Sequence, residues 1–300
     1  MLELDLSRLL RAAQQEASAE RRRAVRAGAI ADRHDRMLAV ASTLRRPLHQ
    51  RMASIHRDSQ QTHQAAARIH AAYAARLQRQ LDRSTQAGHA PLFMAAVADA
   101  LDADDALLNL IVPVAELTTV AASSKRAAAV QEVELVLGEG PAHTVGGDET
   151  LVASSADVMT QRWPCYGPAV SALGVESVSA LALSAPHTAL GSLVVLNPCD
   201  PTPPSHLIQL RTVGAALTQQ ILTDVQDADA GVVSSPLLEQ TDYHDEVHQA
   251  TGIVMAQTDR SAADALAMLK ARAFANGVTL GALAATVVSR EICFGPGTAL

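Results

Sequence analysis

Few residues in this chain stand at spacings that chemistry needs. His244 and His248 lie at i and i+4 within His-Asp-Glu-Val-His, where two imidazoles on one helix face can hold zinc. The metalloprotease arrangement needs Glu directly after the first His; here Asp245 has that place and Glu246 points about 200° round the helix. The pair reads as a solvated helix face. A second set, His49, His56, His63 and His70, recurs every seventh residue. Ligands on one helix share an ion only three or four positions apart, and seven residues separate imidazoles by about 10 Å. No metal ladder is expected within one chain. The row reads as a solvated or inter-helix polar stripe, or as a pH-sensitive interface.

Other signatures fail in the same way. Gly138-x-Gly140 lacks the third glycine of a dinucleotide loop, because position 143 is His, and it follows a helix rather than a strand. No GxxxxGK[ST] phosphate loop and no GxSxG elbow occurs. Cys165, Cys199 and Cys293 are odd in number and form no CxxC, so they read as packing residues. The chain is expected to be no enzyme and to carry no cofactor and no metal.

Composition sets the frame for these residues. At 300 residues the chain should hold two domains, or two plus an extended segment. Hydrophobic residues make up 48% but aromatics only 2%, so the interior must be built from Ala, Val and Leu. No apolar run reaches the roughly 18 residues that span a bilayer, and the start, MLELDLSRLL, lacks a basic lead and an apolar run. A soluble cytoplasmic protein with no membrane partner is expected. The net charge of −7 is divided: residues 1–90 carry sixteen Arg against eight acids, +8, and the other 210 carry eight cations against 23 acids, −15. Such asymmetry marks separate modules and lets the basic part attract an anionic partner or the chain's own acidic part.

Apolar residues from Leu6 through Ala41 recur about every 3.5 positions, predicting a long helix that ends or kinks near Pro47. A second stripe runs Leu48, Met52, Ile55, Ser59, Thr62, Ala66, Ile69, Tyr73, Leu77, a coiled-coil seam with polar central layers. A helix of that length must cover its apolar side with either the first helix folded back or a second subunit. Residues 1–87 are thus a helical, coiled-coil-like arm.

Beyond it come a short helix and strand-like runs at 106–112, 117–122, 150–154, 177–184 and 190–197, with helices at 124–135, 157–173 and 205–223. The order predicts an antiparallel sheet with flanking helices, so the fold class is α+β. Gly-Glu-Gly-Pro at 138–141, Arg162-Trp163-Pro164 after a short strand and Asp157, Gly174-Val175-Glu176-Ser177-Val178, and the run 190–196 together resemble the GAF family over residues 88–225. That resemblance implies a sensory domain with a small-molecule pocket between the sheet and its covering segments, bordered by His143, Asp157, Trp163 and Tyr166.

A linker at 226–235 leads to three short helices with apolar faces. Ser235-Pro236 opens the first; Ser261 and Thr279 are N-cap candidates for the next two, and Asn276-Gly277 is a stop. Ala262, Ala265, Leu266, Leu269 and Ala273 should face inward on the second helix. Ala250-Thr-Gly-Ile-Val-Met255, Asp264-Ala-Leu-x-x-Leu269 and Leu280-x-x-Leu-Ala-x-x-Val-Val288 resemble the ANTAR domain over about 237–292, within a module set at 236–292 and followed by a tail, 293–300. The resemblance implies a homodimer that binds tandem RNA hairpins in nascent transcripts and causes antitermination, under control of an upstream signalling protein or a ligand of the GAF-like pocket.

The cations available for phosphate are Arg260, Lys270, Arg272 and Arg290, against seven acids over 236–300. Either a dimer gathers these scattered cations, or the arginine-rich arm supplies them, or RNA affinity has weakened. The last would leave a protein-interaction adaptor.

Overall fold

The computed structural model describes residues 2–82, 92–111, 118–146, 150–186, 188–201, 203–229, 237 and 245–294. Helices α1 (Leu2–Val40) and α2 (Arg46–Asp82) form an antiparallel hairpin, so the first helix folded back is a partner of the second. Their seam is built from small residues, among them Ala17, Ala24, Ala27 and Ala31 against Ala53 and Ala65, all buried.

The histidine row turns toward the other helix or the core. His34 Nδ1 lies 3.0 Å from His49 Nδ1, and the His34 ring stacks on His56 with centroids 6.0 Å apart. His63 Nδ1 meets Glu20 at 2.6 Å, and His70 is buried with its ring edge toward Phe93. The helix break falls earlier than expected. α1 ends at Val40, the Arg45 and Arg46 amides donate to the Ser42 carbonyl, and Pro47 sits in the first turn of α2. There its missing N–H deprives no helical partner.

After α3 (Leu92–Ala100) come β1 (Ala103–Ile111), β2 (Thr118–Ala122), α4 (Lys125–Leu137), α5 (Pro141–Thr144), β3 (Thr150–Ala153), α6 (Ala156–Arg162), α7 (Tyr166–Ser171), β4 (Val178–Ala185), β5 (Thr188–Pro198) and α8 (Pro204–Asp229). The strands form one sheet in the order β2-β1-β5-β4-β3, every neighbouring pair antiparallel. Alternation along β1 sorts the two faces. Ala106, Leu108 and Leu110 meet α3, α8 and the inner half of the arm through Ile69, Tyr73 and Leu77. Leu107 meets α4, α6 and α7 through Val130, Met159 and Val170.

The last three helices are α9 (Asp245–Thr258), α10 (Ala262–Asn276) and α11 (Leu280–Val288). Ser261 accepts the Asp264 amide and Thr279 accepts the Ala282 amide, while Gly277 at φ 62° ends α10. Each is the expected punctuation. Val247, Ala250, Val254, Ala265, Leu269, Leu283 and Val287 fill the bundle core. Ala262 is exposed rather than inward, because it is the first residue of α10 and lies outside the packed stripe. The bundle also seats on α4: Leu135 belongs to its core, and the Leu280 amide donates to the Glu132 carboxylate. Ser235, Pro236, Tyr243 and His244 lie outside the described residues, so the opening of the first helix and the His244–His248 pair have no structural description.

Candidate functional site: a sheet-borne cavity and a terminal bundle

A cavity of about 710 Å³ lies between the sheet and the segment from α4 to α5. Ser124 caps α4 by accepting the Ala127 amide, and Gly138 at φ 65° turns the chain out of the helix. Gly140 then passes the Glu134 carboxyl so closely that a Cβ there would stand 2.6 Å from its Cδ. On the sheet side a Cβ at Gly191 would sit 1.8 Å from the Asn109 carbonyl oxygen, so glycine is required for β1 and β5 to approach.

The polar lining consists of Asn109, Gln131, Glu134, His143, Ser184, Thr188 and Ser192, set among apolar residues such as Leu135, Ala142, Val145 and Leu183. Asn109, Gln131, Glu134 and Ser192 are buried, and the Asn109 amide reaches Ser192 Oγ at 3.4 Å. Glu134 Oε1 accepts the His143 backbone N–H at 3.0 Å and lies 3.2 Å from its Nδ1.

Of the four residues that the resemblance places at a pocket, the structure brings His143 to this cavity. Trp163 and Tyr166 are core residues: their rings meet edge to face at 5.7 Å, and the Trp163 Nε1–H donates to Thr144 Oγ1 at 2.9 Å. Burial, with the Glu134 charge behind it, pushes the Tyr166 phenol well above its ordinary range. Asp157 is exposed in the first turn of α6, where a carboxylate suits the helix dipole. Sequence reasoning missed Asn109, Gln131, Glu134 and Ser192. For Asn109 and Ser192 the signal was polarity inside otherwise apolar runs, Leu-Leu-Asn-Leu in β1 and Gly-Ser-Leu-Val in β5, whereas Gln131 and Glu134 lie in the mixed sequence of α4, which carries no such mark.

The four bundle cations occupy different settings. Arg260 is exposed in the α9–α10 turn and Arg290 is exposed just past α11. Arg272 holds its guanidinium over the Phe294 ring, 5.7 Å from the centroid. The Phe294 amide in turn donates to Gln257, three residues before Arg260, which draws these segments to one side of the bundle. Lys270 is half-buried and desolvation pushes its ammonium down from the usual lysine range. One turn further along the same helix face Phe274 is 69% exposed, a ring that sequence reasoning did not single out.

The family model described as ANTAR domain matches residues 237–288. An ANTAR domain therefore occupies this part of the chain. No curated protein gives a significant match. Among solved structures, a domain attributed to a two-component sensor histidine kinase protein of Sinorhizobium meliloti 1021 is similar at 13% identity and TM-score 0.36, over 47% of this chain and 92% of that one. Escherichia coli SdiA is similar at 15% identity and TM-score 0.36, over 72% and 98%. The Stigmatella aurantiaca phytochrome photosensory core module is similar at 12% identity and TM-score 0.27, over 67% of this chain and 45% of that one. Among the described residues no single helix is long and apolar enough to cross a membrane.

Proposed function

We propose that the chain is a cytoplasmic, signal-responsive regulator whose terminal bundle binds RNA hairpins as a dimer and causes transcription antitermination. The observation that carries this reading is the ANTAR match at 237–288, which coincides with the helices punctuated by Ser261, Gly277 and Thr279. The sheet region serves as a GAF-like sensor, and its cavity receives a small molecule. The work is non-covalent: binding energies, not a catalytic group, do it. Arg260, Arg272 and Arg290 supply phosphate contacts, with Lys270 at the edge and Phe274 exposed for stacking on an unpaired loop base.

A second reading is favoured by the net acidity of residues 236–300, four cations against seven acids. There the bundle no longer holds RNA and the chain is a protein-interaction adaptor. Gel shifts against tandem RNA hairpins across a salt series separate the two. Antitermination requires a salt-sensitive shift, with Arg260→Ala and Arg290→Ala each lowering the log–log salt slope by about 0.7 to 1. No shift at any salt, even with the subunits cross-linked, supports the adaptor.

A further inference from the structure

The heptad stripe of α2 is covered along only part of its length. The face of α2 that meets α1 is a different one: His49 and His56 reach His34, Gln60 packs on Gly28, His63 meets Glu20, and Arg57 pairs with Asp35 across the hairpin. The stripe through Leu48, Met52, Ile55, Thr62, Ile69 and Tyr73 lies about 100° round the helix from that face. Its inner end is buried. Ile69 and Tyr73 enter the core of the sheet, and Ala66 and Tyr73 border a cleft against α8 together with Glu16 and Arg23 of α1. Farther out the stripe emerges: Met52, Ser59 and Thr62 are half-buried, and Leu48 and Ile55 are 58% and 48% exposed. On α1 the row Glu16, Arg23, Ile30, Met37 advances in steps of seven along the same side and ends with Met37 exposed. The outer arm thus presents an apolar face of Met37, Leu48, Met52 and Ile55, set off from the sheet by the polar layers at Ser59 and Thr62.

We propose that this outer face pairs with the same face of a second copy of the chain, α2 against α2 antiparallel, with the two-fold axis between Met52 and Ile55. In that register Met52 meets the partner's Ile55, Leu48 meets the partner's Ser59, and Arg51 meets the partner's Asp58, each pairing made twice. Charge selects this occupant. Arg51 and Asp58 stand one heptad apart on the solvent edge of the stripe, both exposed, and neither joins an ion pair within the chain among the described residues. A plus and a minus placed on either side of a centre are complementary to themselves turned round, as a two-fold interface requires. A parallel pair in register brings like residues to one level, and a lipid or nucleic-acid surface sets its phosphates against Asp58. Length agrees with charge. The overlap runs from residue 46 to residue 61, about 22 Å at 1.5 Å per residue, so the partner's helix ends before the level of Ala66, where the cleft against α8 begins. The pairing goes beyond the RNA reading and rests neither on the bundle nor on the sensor cavity.

Sedimentation velocity of the full chain over a concentration series from about 1 to 200 μM tests it, and should show a monomer–dimer equilibrium. Leu48→Glu and Ile55→Glu, at exposed positions, should each raise the dissociation constant at least about tenfold with an unchanged circular dichroism spectrum. Arg51→Asp and Asp58→Arg should each raise it about fivefold, and the two together should restore it, because both ion pairs re-form with their signs exchanged. Excising residues 34–52 across a short glycine-rich linker should leave a monomer. The proposal is overturned if the full chain is monomeric at every concentration, if the glutamate variants dimerise as before, or if the double charge exchange fails to recover association. A chain that stays monomeric and instead floats with phosphatidylglycerol vesicles, with Leu48→Glu releasing it, would give the face to lipid and likewise overturn the pairing. No RNA enters the measurement. A monomer therefore leaves the gel shift with cross-linked subunits to decide antitermination, whereas a dimer that shifts no RNA would sink only the RNA reading.

Discussion

At the scale of single residues, two buried histidines set how the fold responds to acid. His70 lies under the arm and His206 donates to or accepts from Ser179 Oγ at 2.9 Å. Burial lowers the pKa of both from the usual histidine value, against smaller opposing effects of Glu16 and Glu20 on His70 and of Asp200 on His206. Lowered folded values mean that below about pH 6.5 the unfolded chain takes up protons that the folded chain refuses. Stability is then full above that pH and falls as pH drops toward the folded pKa values, by at most about 1.4 kcal/mol per pH unit for each histidine. Thermal melts at pH 7 and pH 5 should show the loss, and His206→Gln should shrink the interval. A slope unchanged in that variant would remove His206 from the account. For Phe274, truncation to Ala should weaken RNA binding by about 1–3 kcal/mol with the salt slope unaltered, because stacking releases no counterions. A change in slope would mean that the ring acts by holding a cation.

At the scale of elements, α4 joins the two halves of the proposed mechanism. Gln131, Glu134 and Leu135 line the cavity, while Glu132 receives the first amide of α11 and Leu135 enters the bundle core. The helix N-terminus of α11 offers amides without intrahelical partners, so a carboxylate there stabilises it by about 1 kcal/mol. Glu132→Ala should accordingly speed hydrogen exchange at the amides of residues 280–283 about fivefold, with exchange in the sheet unchanged. Unaltered exchange at 280–283 would show the contact to be idle.

Much of this architecture was legible. The strands announced themselves by β-rich runs between turns, and Ser124, Ser261 and Thr279 stood where helix starts need a side-chain acceptor. The role of α4 was less legible, because Lys125–Leu137 mixes polar and apolar residues around its whole circumference and no single stripe predicts one partner. Trp163 was ambiguous for a related reason: a lone indole suits a ligand platform as well as a structural wedge, and in the fold it is buried with its Nε1–H on Thr144. The turn ahead of Pro47 was missed because residues 41–44 hold no glycine or proline to mark it.

At the scale of the whole molecule, the arm has two unlike halves. Its inner half belongs to the core of the sheet, where Tyr73 and Leu77 are 1% exposed, whereas Val40 and Leu44 at the tip are 86% and 89% exposed. Tyr73→Ala should cost about 3–5 kcal/mol in denaturant unfolding, and Val40→Ala less than about 0.5. Equal costs would mean that the arm does not pack on the sheet. For the same reason deleting residues 1–84 strips one face of the sheet and should abolish the cooperative melt. Excising 34–52 and bridging the ends with a short glycine-rich linker should preserve it.

The double duty of α4 also limits how these parts can be exchanged. A chimera that splices the terminal domain onto a foreign sensor would leave Leu135 behind and the α11 terminus without its acid. Such a graft keeps the seat of the bundle only when α4 travels with it, which makes that helix, rather than the segment at 226–235, the natural unit of transplantation.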